Sequence, residues 1–260
     1  MVVQRIFVII LGMVFGSFLL TMADRLQQGD SVMRRSSCDS CSTVIGVIGL
    51  IPLLGFLVNG GRCRNCGEAI SWVYPLAEIL NGAFVYVIFL KTGWQVGFVH
   101  AFLIFEALLL IAVLDFRTHL IFPQPVLIAF LVQCAWLFLV RSADVLSSLI
   151  GLFMGAGLFH WIGYLYQNLR RRVGLGEGDA TLLGLIGFAF GWNVLLATIF
   201  WAAAFGILCG GGLLVLRRQS WRDEIAFGPW LVLATFLIWY FPGFFQNIPF
   251  KASYQLILQH

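Results

Sequence analysis

Two aspartates at the ends of apolar segments are the residues of this chain best suited to acid–base chemistry. Asp115 closes one apolar segment, and Asp179 opens another after the sequence Gly174-Leu175-Gly176-Glu177-Gly178. Two carboxylates that meet in a site of low dielectric constant share one proton, because both cannot easily be charged. The charged one can take a proton from an attacking water while the protonated one donates to a peptide carbonyl oxygen. We predict that Asp115 and Asp179 form such a hydrolytic pair, in which either aspartate could play either part.

The glycines before Asp179 suit the approach of a peptide. Gly174, Gly176 and Gly178 let the backbone leave helical geometry and come close to an extended substrate. A peptide must be extended to be cut, since a helix engages its carbonyl groups in internal hydrogen bonds. The alternative is a glycine-rich turn beside an acid at a helix end, and for either aspartate alone that interpretation would be preferred. The spacing of the glycines does not match a nucleotide-binding pattern.

Four cysteines form two Cys-x-x-Cys pairs, Cys38 with Cys41 and Cys63 with Cys66. Four thiolates from two tight turns are the ligand set that structural zinc favours. Such a closed site leaves the metal no open coordination position, so its expected role is to hold the fold of a small domain. The alternative is a pair of redox-active dithiols, but the neighbouring residues do not resemble a thioredoxin-like unit.

The composition places most of these residues in a membrane. Of the 260 residues, 60% are hydrophobic and only 11% are charged, against about 25% charged residues in soluble domains. Apolar runs long enough to cross a hydrocarbon core of about 30 Å recur along the chain. We predict an all-α polytopic membrane protein, in contact with membrane lipid, whose eight transmembrane helices cover approximately residues 3–23, 74–90, 96–114, 121–140, 145–167, 180–192, 193–216 and 226–245.

The distribution of positive charge predicts how the chain is oriented. The net charge is +4, but Lys and Arg sit in short loops between apolar segments, so they report orientation and do not indicate nucleic-acid binding. With eight helices, twelve of the 16 Lys and Arg fall on one side, and the other side holds only Arg5, Lys91, Arg141 and Lys251. Because the richer side faces the cytoplasm, we predict an inner-membrane protein with a periplasmic N-terminus and both aspartates at the cytoplasmic face.

The chain divides into four predicted segments. They are a first transmembrane helix at 1–23, a cytoplasmic zinc-binding domain at 24–73, a seven-helix membrane catalytic domain at 74–245 and a C-terminal tail at 246–260. Within the zinc-binding domain, residues 44–58 are apolar and interrupted by glycine and proline. This stretch is short for a crossing, and a crossing would separate the two cysteine pairs. We predict that it fills the interior of the domain, which could also rest on the membrane surface.

Six motifs together carry a family resemblance. They are Gly16-Ser17-Phe18-Leu19, the paired cysteines with Gly61-Arg62-Cys63-Arg64, the segment Ile70-Ser71-Trp72-Val73-Tyr74-Pro75-Leu76-Ala77-Glu78, Asp115 with Arg117-Thr118-His119-Leu120-Ile121, Gly176-Glu177-Gly178-Asp179, and Phe227-Gly228-Pro229. Their types and order resemble the bacterial type IV prepilin peptidases, which are GxGD-type aspartic proteases. The resemblance covers almost the whole chain, and six motifs in register are far more specific than any one alone.

The resemblance implies a substrate and a second activity. The substrate would be a type IV prepilin or a type II secretion pseudopilin precursor, whose basic leader is removed at the cytoplasmic face. Many members also methylate the new N-terminus with S-adenosylmethionine, for which the sequence assigns no binding residue. Where the family commonly has Glu-Asn-Ile-Pro, this chain has Gly49-Leu50-Ile51-Pro52. The chain therefore lacks an acid that could serve the methyl donor or the amine, which leaves methylation open.

Two other classes of protein stay open on the sequence. A proton-coupled transporter could also bury two aspartates as a relay, but it would need access from both faces, and an inverted repeat of the kind many transporters carry is not evident here. A noncatalytic assembly factor could use the zinc-binding domain to hold cytoplasmic machinery. Incubation of the purified protein with a prepilin separates the three, because only a peptidase yields a shorter product.

The predicted orientation can be measured with reporter fusions. Fusions after Val73, Arg117 and Arg172 should all report the cytoplasm, because the basic loops lie on that side. A periplasmic signal at Arg117 or Arg172 would place the two aspartates on opposite faces and contradict the hydrolytic pair.

Overall fold

The computed structural model describes residues 2–38, 40–140, 144–170, 176–215 and 226–245. Over these ranges the chain is helical, with two isolated β-bridges and no longer strand. A 3₁₀ turn at Val47–Leu50 precedes α2, and a π-helical turn at Phe153–Leu158 joins α6 to α7. The helices are α1 (Val2–Gln28), α2 (Leu54–Val58), α3 (Val73–Thr92), α4 (Val96–Thr118), α5 (Pro123–Leu139), α6 (Val145–Leu152), α7 (Phe159–Arg170), α8 (Glu177–Phe190), α9 (Trp192–Val215), α10 (Gly228–Tyr240) and α11 (Pro242–Phe245).

The all-α membrane class predicted from the sequence is confirmed. Among the described residues, five helical runs are long and apolar enough to cross a membrane, namely α1, α3, α4, the run Val145–Leu169 and Trp192–Gly210. Three further helices, α5, α8 and α10, are apolar but shorter. Each predicted segment is helical, whereas the count of eight crossings stays a prediction. The predicted tail at 246–260 lies outside the described residues, and the four-segment division is a prediction still.

Two compact units make up the chain, Met1–Phe102 and Leu103–His260. In the first unit α1 packs along α3 through small residues. A Cβ on Gly16 would lie 2.7 Å from the backbone oxygen of Ala77, and a Cβ on Gly12 would lie 2.8 Å from that of Asn81. The Asn81 amide also donates to the Gly12 oxygen at 2.8 Å. Since lipid is as apolar as the side chains, this close backbone contact and the buried hydrogen bond stabilise the helix pair.

In the second unit α8 is the central helix. It contacts α5, α6, α7, α9 and α10, and Leu182, Leu183 and Ile186 on it are almost fully buried. Gly151 of α6 lies against Gly187 of α8, so the two backbones touch. α8 ends where Gly191 takes a left-handed φ of 86°, which makes α8 and α9 two helices. The apolar packing around α8 holds its first turn in place, and one of the two aspartates lies in that turn.

The prediction that residues 44–58 fill the interior of the zinc-binding domain is wrong. Val47 is 80% exposed and Leu57 is 68% exposed, and among the residues of α2 only Gly55 is buried. The physical reason is the size of the two cysteine turns. Each is closed by its own short hydrogen bonds, so between them they enclose little interior for large side chains.

Candidate active site and metal centre

Asp115 lies in the last turn of α4 and is only 5% exposed. Its Oδ2 accepts a hydrogen bond of 2.8 Å from the backbone N–H of Gly228. Gly228 is the first residue of α10, and the first N–H groups of a helix have no partner within it. A Cβ at position 228 would lie 2.7 Å from Asp115 Oδ2. Only glycine lets α10 begin this close to the carboxylate.

Asp179 lies in the first turn of α8. Gly176 precedes the helix in an extended conformation, and its carbonyl oxygen accepts from the Asp179 N–H at 3.1 Å. A negative side chain is stabilised in the first turn of a helix by the exposed N–H groups and the helix dipole. Gly178 packs against Ile121, where a Cβ would approach Ile121 Cγ1 to 3.0 Å. Of the other predicted features, Gly174 and the Glu177 side chain are outside the described part of the chain.

The structure brings the two aspartates together in one cavity of about 1090 Å³. They are near enough to interact electrostatically, although 64 positions separate them in the sequence. Most of the cavity wall is apolar and comes from α5, α6, the π turn, α8 and the residues before α10: Val126, Leu127, Phe130, Leu152, Ala156, Leu185, Ala226 and Phe227. Two acids beside an apolar groove can carry out acid–base chemistry on a bound apolar chain.

His119 lines the same cavity, and the sequence assigned it no role. It follows α4 in a left-handed conformation, with a φ of 54°, and its backbone N–H donates to the backbone carbonyl oxygen of Asp115 at 2.8 Å. The Thr118 hydroxyl donates to the Leu114 oxygen at 2.9 Å and accepts from the Leu120 N–H at 3.2 Å. These bonds end α4 at Thr118, three residues after Asp115. Non-glycine residues seldom adopt this backbone conformation, and those that do cluster at functional sites.

The two cysteine pairs form turns of the same design. Cys38 donates from its N–H to the Thr43 oxygen at 2.9 Å, and Cys63 donates to the Glu68 oxygen at 2.7 Å. Antiparallel bridges flank the turns at Ser37 with Val44 and at Arg62 with Ala69. Each hydrogen bond and bridge recurs 25 positions later. The turns are therefore an internal structural repeat that the residue types alone did not reveal.

The four cysteine sulfur atoms are close enough to share one metal ion. The Sγ atoms of Cys38 and Cys66 are 3.7 Å apart, those of Cys41 and Cys63 are 3.9 Å apart, and all four lie within 4.8 Å of one another. A tetrahedral ion with metal–sulfur bonds of about 2.3 Å separates its ligand sulfurs by about 3.8 Å. The cluster can therefore hold a tetrahedral ion.

The thiols themselves are also suited to a cation. Hydrogen bonds with the Thr43 side chain and backbone lower the pKa of Cys41 to about 6, and backbone N–H groups of Cys66 and Asn65 lower the pKa of Cys63. A hydrogen bond from the Glu68 backbone N–H lowers the pKa of Cys66, but burial and the neighbouring thiols outweigh it and raise this pKa to about 12. Four adjacent thiols cannot all lose their protons unaided, because the negative thiolates repel one another. A bound cation offsets this repulsion.

Fold and site together define a polytopic helical membrane protein with a carboxylate pair and a separate four-cysteine centre. Residues 10–92 match the model of the bacterial peptidase A24 N-terminal domain, and residues 102–211 match that of the type IV leader peptidase family. No solved structure matches the chain.

Several relatives carry the name prepilin leader peptidase/N-methyltransferase. The Bacillus subtilis strain 168 protein is 30% identical over 232 residues, which cover 88% of this chain and 90% of the relative. The Myxococcus xanthus protein is 31% identical over 229 residues, covering 85% and 68% of the two chains. The Dickeya chrysanthemi protein is 32% identical over 207 residues, covering 76% and 70%. The chain belongs to the type IV leader peptidase family.

Gly228 provides a direct test of the aspartate geometry. Gly228→Ala should lower the free energy of unfolding by about 1–3 kcal/mol, because the added methyl group would overlap the buried Asp115 carboxylate. Gly243→Ala is the matched control, since a Cβ there meets no atom of the described residues within 4 Å. The thermal unfolding midpoints of both variants in detergent provide the measurement. Equal midpoints for the two would contradict the close contact at Gly228.

Proposed function

We propose that this protein is an aspartic endopeptidase in which Asp115 and Asp179 together cut the leader from a type IV prepilin or a type II secretion pseudopilin. The observation that carries the proposal is the placement of both carboxylates in one cavity, at the end of α4 and the beginning of α8. Membership of the type IV leader peptidase family supports a peptidase. Relatives named prepilin leader peptidase support the substrate class.

The chemistry needs one proton shared between the two aspartates. The ionised carboxylate takes a proton from water as the water oxygen attacks the scissile carbonyl carbon, while the protonated carboxyl donates its proton to the carbonyl oxygen. Collapse of the tetrahedral intermediate breaks the C–N bond: the amine leaves with the proton that the first aspartate took from water, and the second aspartate takes back a proton from a hydroxyl group of the intermediate, which restores the pair. Gly228 holds Asp115 by Oδ2, so Oδ1 is the oxygen that remains for the water or the shared proton.

The cavity also suits the proposed substrate. A pilin precursor must present an unwound segment to be cut, and beside it an apolar helix must stay shielded from water. The apolar residues of α5, α6 and α8 in the cavity wall provide such an environment next to the two acids. A noncatalytic assembly factor would not need an acid pair beside a groove of this kind, and a proton-coupled transporter would need its two acids to be reached from both faces of the membrane.

The proposed orientation has the N-terminus in the periplasm and the active site at the cytoplasmic face of the bacterial inner membrane. Five apolar helices and the family support an inner-membrane location. The bias of Lys and Arg toward one side supports the orientation. This orientation agrees with the proposed reaction, because a basic leader made in the cytoplasm would be cut before it crosses the membrane.

The aspartate pair is tested by removing each carboxyl in turn. Asp115→Asn and Asp179→Asn should each reduce prepilin cleavage at least about 10²- to 10⁴-fold, because each removes one proton-transfer group at nearly constant size. The double variant should be scarcely worse than either single one, since members of one catalytic unit lose activity non-additively. Cleavage by the purified protein in detergent, followed by gel shift of the prepilin, is the measurement.

Asp144→Asn is the matched control for this experiment. Asp144 caps α6 by accepting from the Ser147 N–H at 3.0 Å, and asparagine caps a helix equally well. Loss of this carboxyl should leave cleavage unchanged. Near-normal cleavage by a folded Asp115→Asn or Asp179→Asn variant would exclude the pair as the catalytic unit.

We propose that the cysteine cluster holds a structural zinc ion. The sulfur spacing supports a tetrahedral ion, and four thiolates are a ligand set that zinc prefers. With all four positions filled by Cys38, Cys41, Cys63 and Cys66, the ion would hold the two turns together and take no part in hydrolysis. Chelators should therefore act on cleavage only slowly, through loss of the folded domain.

The zinc proposal predicts metal content directly. The purified protein should carry about one zinc per chain, and Cys63→Ser should lose most of it and unfold more easily, because metal binding is coupled to folding. Cys209→Ser is the control, since Cys209 lies in α9, outside the cluster. Elemental analysis by mass spectrometry measures both variants. Full occupancy in a Cys38→Ser, Cys63→Ser double variant would refute this ligand set.

We propose methyl transfer as a candidate second activity, which one feature of the first unit favours. A cavity of about 940 Å³ is lined by Asp24, Glu78, Phe56 and Tyr74 among other residues. Carboxylates and aromatic rings suit a cationic sulfonium, so these residues fit S-adenosylmethionine even with Gly49 in place of the family's acid. The methyl donor supplies an electrophilic methyl group for the new amine. Asp24 and Glu78 would hold its cationic part.

Mass spectrometry of the mature pilin tests methyl transfer. With S-adenosylmethionine present, the new N-terminus should gain the mass of one methyl group, because the cavity acids would hold the methyl donor for reaction with the amine. The Asp115→Asn variant should not methylate an uncut precursor, because no new N-terminus forms. It should still methylate a peptide that already has the mature N-terminus. An unmodified N-terminus after complete cleavage would leave the peptidase as the only activity.

A further inference from the structure

The segment between the two cysteine turns exposes an apolar surface. It consists of the 3₁₀ turn Val47–Leu50 and α2, and together with the residues that join them it is termed the apolar hairpin (residues 47–58). Val47 and Leu57 are its most exposed large side chains, and Ile48, Leu50, Leu54 and Val58 are exposed as well. The two halves touch at Gly49 and Gly55, where a side chain on Gly55 would meet the Gly49 carbonyl group. The hairpin is thus compact. Leu54, Leu57 and Val58 are exposed outside the cavity of about 940 Å³ in the first unit, whereas the exposed Val47, Ile48 and Leu50 also lie along the wall of that cavity.

Its depth is set by a hydrogen bond to a membrane-spanning helix. The Leu53 N–H donates to Glu78 Oε2 at 2.8 Å, and Glu78 is a residue of α3 that is only 7% exposed. One helical turn nearer the start of α3, the Tyr74 hydroxyl donates to Asp24 at 3.0 Å, a polar pair that joins α3 to the end of α1. A turn of helix rises about 5.4 Å. The hairpin tip therefore reaches deeper along α3 than the polar pair between the two helices.

The backbone of the hairpin tip is equipped for surroundings poor in water. The N–H groups of Gly49, Ile51, Leu54 and Gly55 donate to carbonyl oxygens within the hairpin or next to it, and the Leu53 N–H donates to Glu78. Pro52 has no N–H. In lipid an unsatisfied N–H group is costly, so these bonds permit an apolar environment that an open loop would not tolerate.

The apolar surface continues onto α3. Phe56 of the hairpin packs against Trp72 with ring centroids 4.5 Å apart, and Trp72, just before α3, is 74% exposed. Leu76, Ile79 and Leu80 on the following turns of α3 are exposed apolar residues of a helix that can cross the membrane. Tryptophan is enriched where a membrane meets water. Lipid that surrounds α3 would meet the hairpin without a polar gap.

We propose that the apolar hairpin inserts into the lipid leaflet at the boundary between headgroups and acyl chains. The covering partner is lipid because the surface is continuous with the lipid-exposed side of α3, and because the hairpin is hydrogen-bonded through Leu53 to that membrane-spanning helix. Arg35, Arg62 and Arg64, near the hairpin in sequence and exposed, suit the anionic headgroups of that leaflet. Insertion would hold the cysteine turns at a fixed height above the membrane, independently of the aspartate pair.

Photocrosslinking in nanodiscs of phosphatidylethanolamine and phosphatidylglycerol tests the insertion. The full-length protein carries p-benzoylphenylalanine at Leu57 or at Val47, positions whose exposure makes a bulky side chain tolerable. Leu76 on α3 is the lipid-facing control, and Ser40, exposed on the first cysteine turn, is the water-facing control. Lipid adducts are counted by mass spectrometry after illumination of protein that elutes as a single folded species.

We expect lipid adducts at Leu57 and Val47 with yields close to that at Leu76 and several-fold above that at Ser40. Yields as low as at Ser40 would overturn the proposal, because the hairpin would then face water. Cross-links that join two protein chains at Leu57 would also overturn it, since a second copy would then cover the surface. If one labelled variant fails to fold, the other position decides, and Ile48 replaces the lost one.

Discussion

The hydrogen bond from the Gly228 N–H to Asp115 is the constraint on which the candidate active site depends. A carboxylate buried among leucine and phenylalanine side chains needs a donor, because an unpaired buried polar group is costly. The first N–H of α10 needs an acceptor for the same reason. One bond satisfies both groups, but it requires α10 to begin in contact with the last turn of α4. Position 228 can then hold no side chain, and the cavity forms around the junction of these two helices and α8.

Close backbone contact recurs in each unit because lipid gives helices little hydrophobic reason to associate. In the first unit Gly12 and Gly16 let α1 approach α3. In the second unit Gly151 and Gly187 do the same for α6 and α8. Dispersion forces are short-ranged, so removing side chains from these contacts increases the area at which atoms touch. Rigid helix pairs of this kind can hold a carboxylate in place through a reaction.

The two chemical centres place opposite demands on their surroundings. The aspartates need a site of low dielectric constant that one edge of a substrate can enter. A structural metal ion would need all four cysteine sulfurs turned toward one point, in a site closed to other molecules. Separate segments meet these demands, with the carboxylates at helix ends and the sulfurs on two repeated turns. The apolar hairpin between those turns belongs to neither centre, and its bond to Glu78 ties it to a membrane helix.

The sequence by itself determined the class of protein and the approximate positions of the helices, and it singled out the four cysteines that cluster and the two aspartates that share a cavity, because composition, run length and local spacing are properties of neighbouring residues. It did not predict that the Gly228 N–H reaches Asp115, that His119 enters the cavity in a left-handed conformation, or that residues 47–58 face outward. Those features depend on which distant segments touch. Asp115 and Gly228 are 113 positions apart, and a contact over that distance leaves no periodic signal in the sequence. Only the tertiary packing of α4, α8 and α10 decided this contact.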